Sequence, residues 1–145
     1  MKVFILDTNI LLDLFVFHDP KVQDLKQAIV DKQLQVISSQ KTIAELEDVI
    51  ARPLFALESD TQRKIMTQWQ SLSIFHDDSN LTHAPWACED KDDQVFLDLA
   101  YQCKPAVIVS KDNALLKLAS RTIKENILIT AEFNPITALT YSVNL

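Results

Sequence analysis

Short apolar runs alternate with segments of helical periodicity along the chain. Continuous apolar runs are typical of strands buried on both faces of a parallel sheet, and five of them predict strands at residues 2–6, 34–38, 73–76, 105–110 and 126–130. Between these runs, apolar residues recur at the three-to-four-residue spacing of an amphipathic helix. That spacing predicts helices at residues 9–17, 19–32, 41–51, 59–71, 91–103 and 112–122, and a closing helix from Pro135 onward.

The connections between successive strands are too long for hairpins and contain helices. This order of elements predicts a three-layer α/β/α sandwich around a central, mainly parallel sheet of four to five strands. The chain has 145 residues, of which 48% are hydrophobic and 23% are charged. That length and composition are those of one ordinary domain with a sizeable core, so we expect a single domain over residues 1–145.

The composition excludes several function classes. The chain has no glycine, whereas average usage of about 7% would give roughly ten. P-loops, GxGxxG dinucleotide fingerprints and GxSxG nucleophile elbows all need glycine, which argues against an ATPase, a Rossmann dehydrogenase or a serine hydrolase. Cys88 and Cys103 are expected to be reduced, and the three histidines have no metal-ligand spacing. Neither a membrane span nor a signal peptide is visible in the sequence, so we expect a cytoplasmic protein.

Four acidic residues are predicted to lie at one edge of the sheet. Asp7 directly follows the first strand, and Asp112 follows the fourth. Asp93 lies in the first turn of the helix that leads into the fourth strand, and Glu45 lies near the start of the helix after the second strand. Ligands of open α/β sheets bind beyond the carboxyl ends of the strands, where these positions can converge.

Each acid also has a structural explanation. Asp92, Asp93 and Asp112 are suited to cap helices or to complement the helix dipole in a first turn. Asp7 is the hardest to explain in this way, because a carboxylate directly after four apolar residues is costly unless charge or hydrogen bonds compensate it.

The helix after the second strand contains three acids, and its periodicity separates them only in part. Asp48 faces away from the apolar stripe, whereas Glu45 and Glu47 both flank it. Periodicity therefore excludes Asp48 but does not choose between the two glutamates. Position near the helix start favours Glu45.

A cluster of three or four carboxylates with few nearby bases calls for a divalent cation, because like charges repel without one. Oxygen ligands suit Mg²⁺ or Mn²⁺. Such an ion lowers the pKa of a coordinated water and stabilises charge on phosphate oxygens. The pattern therefore indicates hydrolytic phosphoryl transfer.

Four motifs occur in the order of a known family: VFILDTNILL, SSQKTIAELEDVIARP, DDQVFLDLA and VIVSKDNALL. With them the chain resembles PIN-domain nucleases, and among these the VapC-like toxins of toxin–antitoxin pairs. The resemblance implies a PIN-like fold and a Mg²⁺- or Mn²⁺-dependent ribonuclease. It implies catalytic and metal-binding roles for Asp7, Glu45, Asp93 and Asp112, with Asn9 and Ser110 as supporting polar residues.

The chain departs from the family pattern next to two of the acids. Ser110-Lys111 precedes the fourth acid, where the family commonly has a small residue and threonine, and Asp90-Lys91 replaces the frequent Asp-Pro ahead of the third. Lys111 either contacts a substrate phosphate at the rim or points away from the site. Asp90 and Asp92 are candidates for additional acids around it.

The net charge of −6 and the pI near 4.9 do not suit an ordinary nucleic-acid-binding protein, which neutralises phosphates with basic residues. Metal ions would ease this conflict, as would basic residues at the cleft. The candidates for such residues are Lys41, Arg52, Arg63, Lys64, Lys111 and Lys117.

An acidic cleft also suits a basic peptide, and the resemblance implies one: a small antitoxin whose basic segment covers the site. The dense apolar residues between Leu11 and Phe17 suggest a homodimer. The competing hypothesis is a non-catalytic PIN-like binding or scaffold domain. Retention of all four acids favours the nuclease.

Overall fold

The computed structural model describes residues 2–133 of the chain. Its centre is a five-stranded sheet in the order β3-β2-β1-β4-β5, and every neighbouring pair is parallel. The strands are β1 (Val3–Leu6), β2 (Gln35–Ser38), β3 (Ile74–Phe75), β4 (Ala106–Val109) and β5 (Ile127–Thr130). The predicted parallel sheet is therefore confirmed. The central pair, β1 and β4, ends level, with Leu6 beside Val109.

Seven α-helices connect or follow these strands in residues 2–133, and several are shorter than the sequence predicts. The predicted helix at 19–32 begins with a 3₁₀ turn, Pro20–Val22, and the one at 91–103 begins with another, Lys91–Asp93. The predicted closing helix from Pro135 lies outside the described residues. The helices are α1 (Thr8–Phe15), α2 (Gln23–Val30), α3 (Gln40–Ile50), α4 (Ser59–Leu72), α5 (Gln94–Cys103), α6 (Asn113–Leu116) and α7 (Ala119–Thr122).

The core lies on both faces of the sheet. Along β1, Phe4 and Leu6 point into a cluster formed with α1, α3 and α4. Ile5, between them, points into a second cluster formed with α5 and α6. This alternation of side chains across a strand gives helices on both faces. The three-layer α/β/α arrangement is confirmed.

Almost all apolar side chains of helix α1 are buried in the first cluster. Leu11, Leu12, Leu14 and Phe15 are buried within the chain, whereas Phe17, just beyond the helix, is 57% exposed. Burial inside the chain explains most of the apolar density that suggested a homodimer. Within that stretch, Phe17 remains exposed at the surface.

Between residues 2 and 133, every helix is too short or too polar to cross a membrane.

Candidate metal centre

The level ends of β1 and β4 bring two predicted acids to one point. The Asp7 amide donates to the Val109 carbonyl at 3.0 Å, which continues the sheet by one residue. Asp7 then stands at the N-terminus of α1, and Asp112 stands at the N-terminus of α6, where its Oδ1 accepts from the Ala114 amide at 2.9 Å. Asp112 is thus a helix cap as well as a member of the site.

Asp93 completes a cluster of three carboxylates. It lies in the 3₁₀ turn before α5 and is only 5% exposed, and Asp7 is 3% exposed. One carboxylate oxygen from each of Asp7, Asp93 and Asp112 lies within 4.8 Å of the other two. The structure therefore brings three of the four predicted ligands together.

Ser110 links the two strand ends beneath this cluster. Its buried hydroxyl donates to Asp7 Oδ2 at 2.6 Å and accepts from the Asp112 amide at 3.0 Å. The Ser110 amide in turn donates to the Thr130 carbonyl at the end of β5 at 3.0 Å. The second predicted supporting residue is placed differently: the Asn9 side chain is exposed, and its backbone amide lowers the pKa of Asp7.

Burial and mutual repulsion shift the pKa values of the cluster. Burial, a hydrogen bond with Asp112 and the charge of Asp7 raise the pKa of Asp93 to about 8. The same hydrogen bond lowers the pKa of Asp112. Burial raises the pKa of Asp7 as well, and the Ser110 hydroxyl opposes this rise. Without a bound cation, the cluster therefore favours the protonated form of Asp93.

The residues fit a hard divalent cation. All three donors are carboxylates, the ligand type that Mg²⁺ and Mn²⁺ prefer. Asp93 Oδ2 is buried and has no hydrogen-bond partner among residues 2–133. A buried polar atom without a partner is costly, and a cation held by Asp7, Asp93 and Asp112 would satisfy it.

Glu45 lies beside the cluster and outside its 4.8 Å group. Its side chain is half-buried on α3, and burial and the charge of Asp7 raise its pKa, with smaller contributions from Asp92 and Asp90. Glu47, the alternative from helical periodicity, is exposed. The helix therefore turns Glu45 and not Glu47 toward Asp7.

Polar contacts fix the loop between β3 and α5 to the two helices beside the site. Asp78 accepts from the Lys41 amide at the start of α3 at 2.8 Å. At the other end of the loop, buried Asp98 on α5 accepts from the Ala84 amide at 2.8 Å and lies 3.1 Å from His83 Nδ1. These contacts hold the loop in a defined position.

An open groove of about 800 Å³ runs between α3 and this loop, and Glu45 lies on its wall. Lys41 and Lys91 also line it, and neither lysine forms an ion pair within residues 2–133. Arg52, at the end of α3, pairs with exposed Asp48 at 3.3 Å. The groove therefore reaches Glu45 beside the carboxylate cluster, and its wall carries these three cations together with five acids: Glu45, Asp48, Asp78, Asp92 and Asp98.

The other basic residues that the sequence offered for the cleft lie elsewhere or are paired. Lys117 forms an ion pair with Glu89, and Lys111 forms one with Asp13. Arg63 and Lys64 lie on the exposed surface of α4. Of the six candidates, Lys41 and Arg52 line the groove.

The family model of the PIN domain matches residues 3–114. The chain belongs to the PIN-domain family. The matched segment runs from β1 to the start of α6 and contains Asp7, Glu45, Asp93 and Asp112. None of the curated proteins compared with the chain matches it.

PIN domains are generally nucleases, and they typically use divalent metals. The buried triad of this PIN domain lies at the carboxyl edge of its sheet, where ligands of parallel α/β folds bind. Family membership and the triad together support a nuclease-type function acting on nucleic acid.

Sequence reasoning missed two acids that are buried on helices of this PIN domain. Asp13 interrupts the apolar stretch of α1, and Asp98 interrupts that of α5. Charged residues are seldom buried unless they are paired, so a lone acid within an apolar helix is the signal that could have found both. Asp13 pairs with Lys111, and Asp98 anchors the loop at Ala84.

Proposed function

We propose that this PIN domain is a Mg²⁺- or Mn²⁺-dependent endoribonuclease that hydrolyses phosphodiester bonds of single-stranded or structured RNA. The observation that carries the proposal is the triad Asp7, Asp93 and Asp112, with oxygens within 4.8 Å of one another and with buried Asp93 Oδ2 lacking a hydrogen-bond partner among residues 2–133. A structural cluster would be expected to satisfy its buried oxygens within the protein.

In this proposal the three aspartates hold the cation. When bound, Mg²⁺ or Mn²⁺ supplies a Lewis acid that lowers the pKa of water and stabilises negative charge on phosphate oxygens. Ser110 fixes the positions of Asp7 and the Asp112 amide by its two hydrogen bonds. Glu45 lies where the groove meets the cluster, so its carboxylate accepts a proton from water at the scissile phosphate.

The groove supplies a path for the RNA strand. Its lysines Lys41 and Lys91, which form no ion pair within residues 2–133, would neutralise phosphates of the bound strand. Together with a bound divalent cation, they would offset part of the net charge of −6 where the polyanion binds. A cytoplasmic location, where transcripts are found, is part of this proposal.

The products of cleavage test this chemistry. Purified protein is incubated with end-labelled single-stranded RNA in Mg²⁺, and the new ends are identified. Water attack at phosphorus leaves a 5′-phosphate and a 3′-hydroxyl, and it also cleaves an oligonucleotide with a single 2′-deoxy residue at the scissile position. Cyclic-phosphate products, or full activity in EDTA, would contradict the mechanism.

We further propose that the protein is the toxin of a toxin–antitoxin pair and acts as a homodimer. Three features support a partner: the acidic pI near 4.9, the carboxylate cluster, and an apolar patch made of exposed Phe17 and Leu54 with half-buried Phe55. The Phe17 and Phe55 rings lie 5.9 Å apart, and Leu54 is 86% exposed. A small antitoxin would place an apolar helix on this patch and a Lys or Arg among the carboxylates.

Expression in a bacterial host tests the toxin role. Induction of the wild-type chain alone should arrest growth, and Asp7→Asn should abolish the arrest at equal protein level. Light scattering of the purified chain checks the dimer. Harmless expression of an active, monomeric nuclease would remove the toxin proposal and leave the nuclease one.

A further inference from the structure

A lysine lies next to the candidate metal centre and is turned away from it. Lys111 lies between Ser110, which bonds to Asp7, and Asp112. Its Nζ forms an ion pair with Asp13 Oδ2 at 2.5 Å. The Asp13 side chain is 10% exposed, whereas that of Lys111 is 50% exposed.

This ion pair is the second side-chain contact between the β4–α6 loop and α1. The first is the hydrogen bond from the Ser110 hydroxyl to Asp7 at the start of α1. The second joins the next residue of the loop, Lys111, to Asp13 on the same helix. Consecutive loop residues thus contact α1 at two positions, one at the carboxylate cluster and one further along the helix.

An unpaired ammonium at this position would compete with a divalent cation. Lysine carries its charge on a flexible four-carbon stem, and Asp112 is its immediate neighbour in the chain. The carboxylates of Asp7, Asp93 and Asp112 lie close to one another nearby, and Asp7 and Asp93 are buried. An ammonium that is not held elsewhere would be drawn toward these carboxylates.

We propose that Asp13 is a positioning residue that holds the Lys111 ammonium away from the carboxylate cluster and so keeps the cluster available to its cation. This inference rests on the proposed metal-dependent function. It gives a role to Asp13, the charged residue within the apolar helix α1. It also means that Lys111 is held by an ion pair and does not contact a substrate phosphate.

The consequence is a specific pattern of metal affinities. Asp13→Asn removes the partner of Lys111 and leaves a positive charge beside the site, so metal binding should weaken. Lys111→Met removes the competitor, so metal binding should be unchanged or tighter. The double variant Asp13→Asn/Lys111→Met lacks both charges and should bind metal as the wild type does.

The test is titration calorimetry with Mn²⁺ on the wild type, the two single variants and the double variant. We expect Asp13→Asn to raise the Kd for Mn²⁺ by about tenfold and the double variant to restore it. Asp48→Asn is the matched control, because it also releases a basic side chain, Arg52, from an i,i+4 ion pair on a helix near the site. It should leave the Kd for Mn²⁺ unchanged.

Two results would overturn the inference while leaving the proposed function intact: unchanged Mn²⁺ affinity in folded Asp13→Asn, or weaker Mn²⁺ binding in Lys111→Met. A Lys111→Met variant that binds Mn²⁺ normally but shows a raised KM for RNA would also overturn it, because Lys111 would then be a phosphate ligand. Absence of Mn²⁺ binding to the wild type would instead refute the proposed function and the inference with it.

Discussion

Among the individual residues, the environment of the Asp93 carboxyl group indicates that the site needs a cation. Burial, the hydrogen bond with Asp112 and the nearby charge of Asp7 raise its pKa to about 8. Its Oδ2 is also buried without a partner within residues 2–133. Both observations follow from the burial of this carboxyl group among other carboxylates.

The raised pKa predicts how the stability of the metal-free protein depends on pH. The folded state keeps the Asp93 proton up to about pH 8, whereas the unfolded chain releases it near 3.8. Between these values the unfolded state binds fewer protons, so the free energy of unfolding falls as pH rises. Asp93→Asn removes this loss and should raise Tm at about pH 8 by roughly 5 °C, with a smaller gain at about pH 5.

Thermal melts across this pH range, in EDTA and then in excess Mg²⁺, check the prediction. Added Mg²⁺ should narrow the difference between wild type and Asp93→Asn, because only the wild type keeps all three ligands. Exposed Asp48 provides the control, and Asp48→Asn should leave the pH dependence unchanged. A wild type as stable as Asp93→Asn at every pH would show that the carboxylates do not repel one another.

The two glutamates of α3 provide a second test at this scale. Glu45 is half-buried and senses the charge of Asp7, whereas Glu47 is exposed. We expect Glu45→Gln to lower the cleavage rate by about 10²-fold or more, the usual size of an acid–base contribution, and Glu47→Gln to have little effect. Single-turnover rates on labelled RNA decide between them. Loss of activity in Glu47→Gln alone would reverse the assignment.

At the element scale, the loop between β4 and α6 determines the geometry of the site. Ser110 bonds to Asp7 and to the Asp112 amide, so one hydroxyl sets the distance between two ligands from different elements. Partners that orient metal ligands typically contribute 10–100-fold in affinity or activity.

Ser110→Ala should therefore weaken Mn²⁺ binding by about tenfold, within the range of such supporting contacts. Loss of the hydroxyl also removes the hydrogen bond that lowers the pKa of Asp7, so the loss of affinity should be larger at low pH than at high pH. Calorimetric titrations at two pH values measure this. Ser110→Thr, which keeps a hydroxyl, should retain more affinity than alanine, and equal losses in both would count against the proposed bonds.

The elements that sequence predicted best are those in which one kind of pattern dominates. The runs that became β1, β4 and β5 are apolar throughout because both sheet faces are covered, so their positions were predicted to within about one residue. The segment 112–122 was predicted as one helix from the helical spacing of its apolar residues. The chain tightens there, with the Leu118 amide bonding to the Leu115 carbonyl at 3.0 Å, and forms two short helices.

Part of the site was also predictable from the sequence, because the strands on which it depends were predicted well. Asp7 and Asp112 follow strands directly, so parallel strands with level ends were enough to place them together. The pair of Asp13 and Lys111 joins residues 98 positions apart, and only the packing of α1 against the loop brings them into contact. The sequence had left Lys111 as either a phosphate contact or a residue pointing away, and the structure turns it toward Asp13.

For RNA binding by the whole molecule, the positions of the charged residues matter more than the net charge of −6. Asp78 and Asp98 are buried and bonded to backbone amides, so they contribute little repulsion at the surface. Lys41 and Lys91 remain unpaired among the described residues and line the groove that reaches Glu45. A strand of RNA in this groove would contact these lysines and pass Glu45 beside the carboxylate cluster.

We therefore expect Lys41→Met/Lys91→Met to weaken RNA binding by roughly tenfold at about 50 mM salt and to reduce the salt dependence of log Kd by about two phosphate contacts. Mn²⁺ affinity should be unchanged, because neither lysine belongs to the triad. Fluorescence anisotropy at several salt concentrations measures this. Lys64→Met, on the exposed surface of α4, should bind RNA as the wild type does. If the double variant keeps the wild-type salt dependence of log Kd, the RNA binds elsewhere on the protein.

The most direct test of the central claim is metal-dependent cleavage of one labelled single-stranded RNA by the wild type and by Asp7→Asn under identical conditions. The account predicts cleavage by the wild type in Mg²⁺ or Mn²⁺, none in EDTA, and a loss of about 10³-fold or more in Asp7→Asn, because a missing ligand disables the ion that stabilises the transition state. Equal cleavage by the two proteins, or cleavage by the wild type that persists in EDTA, would contradict it.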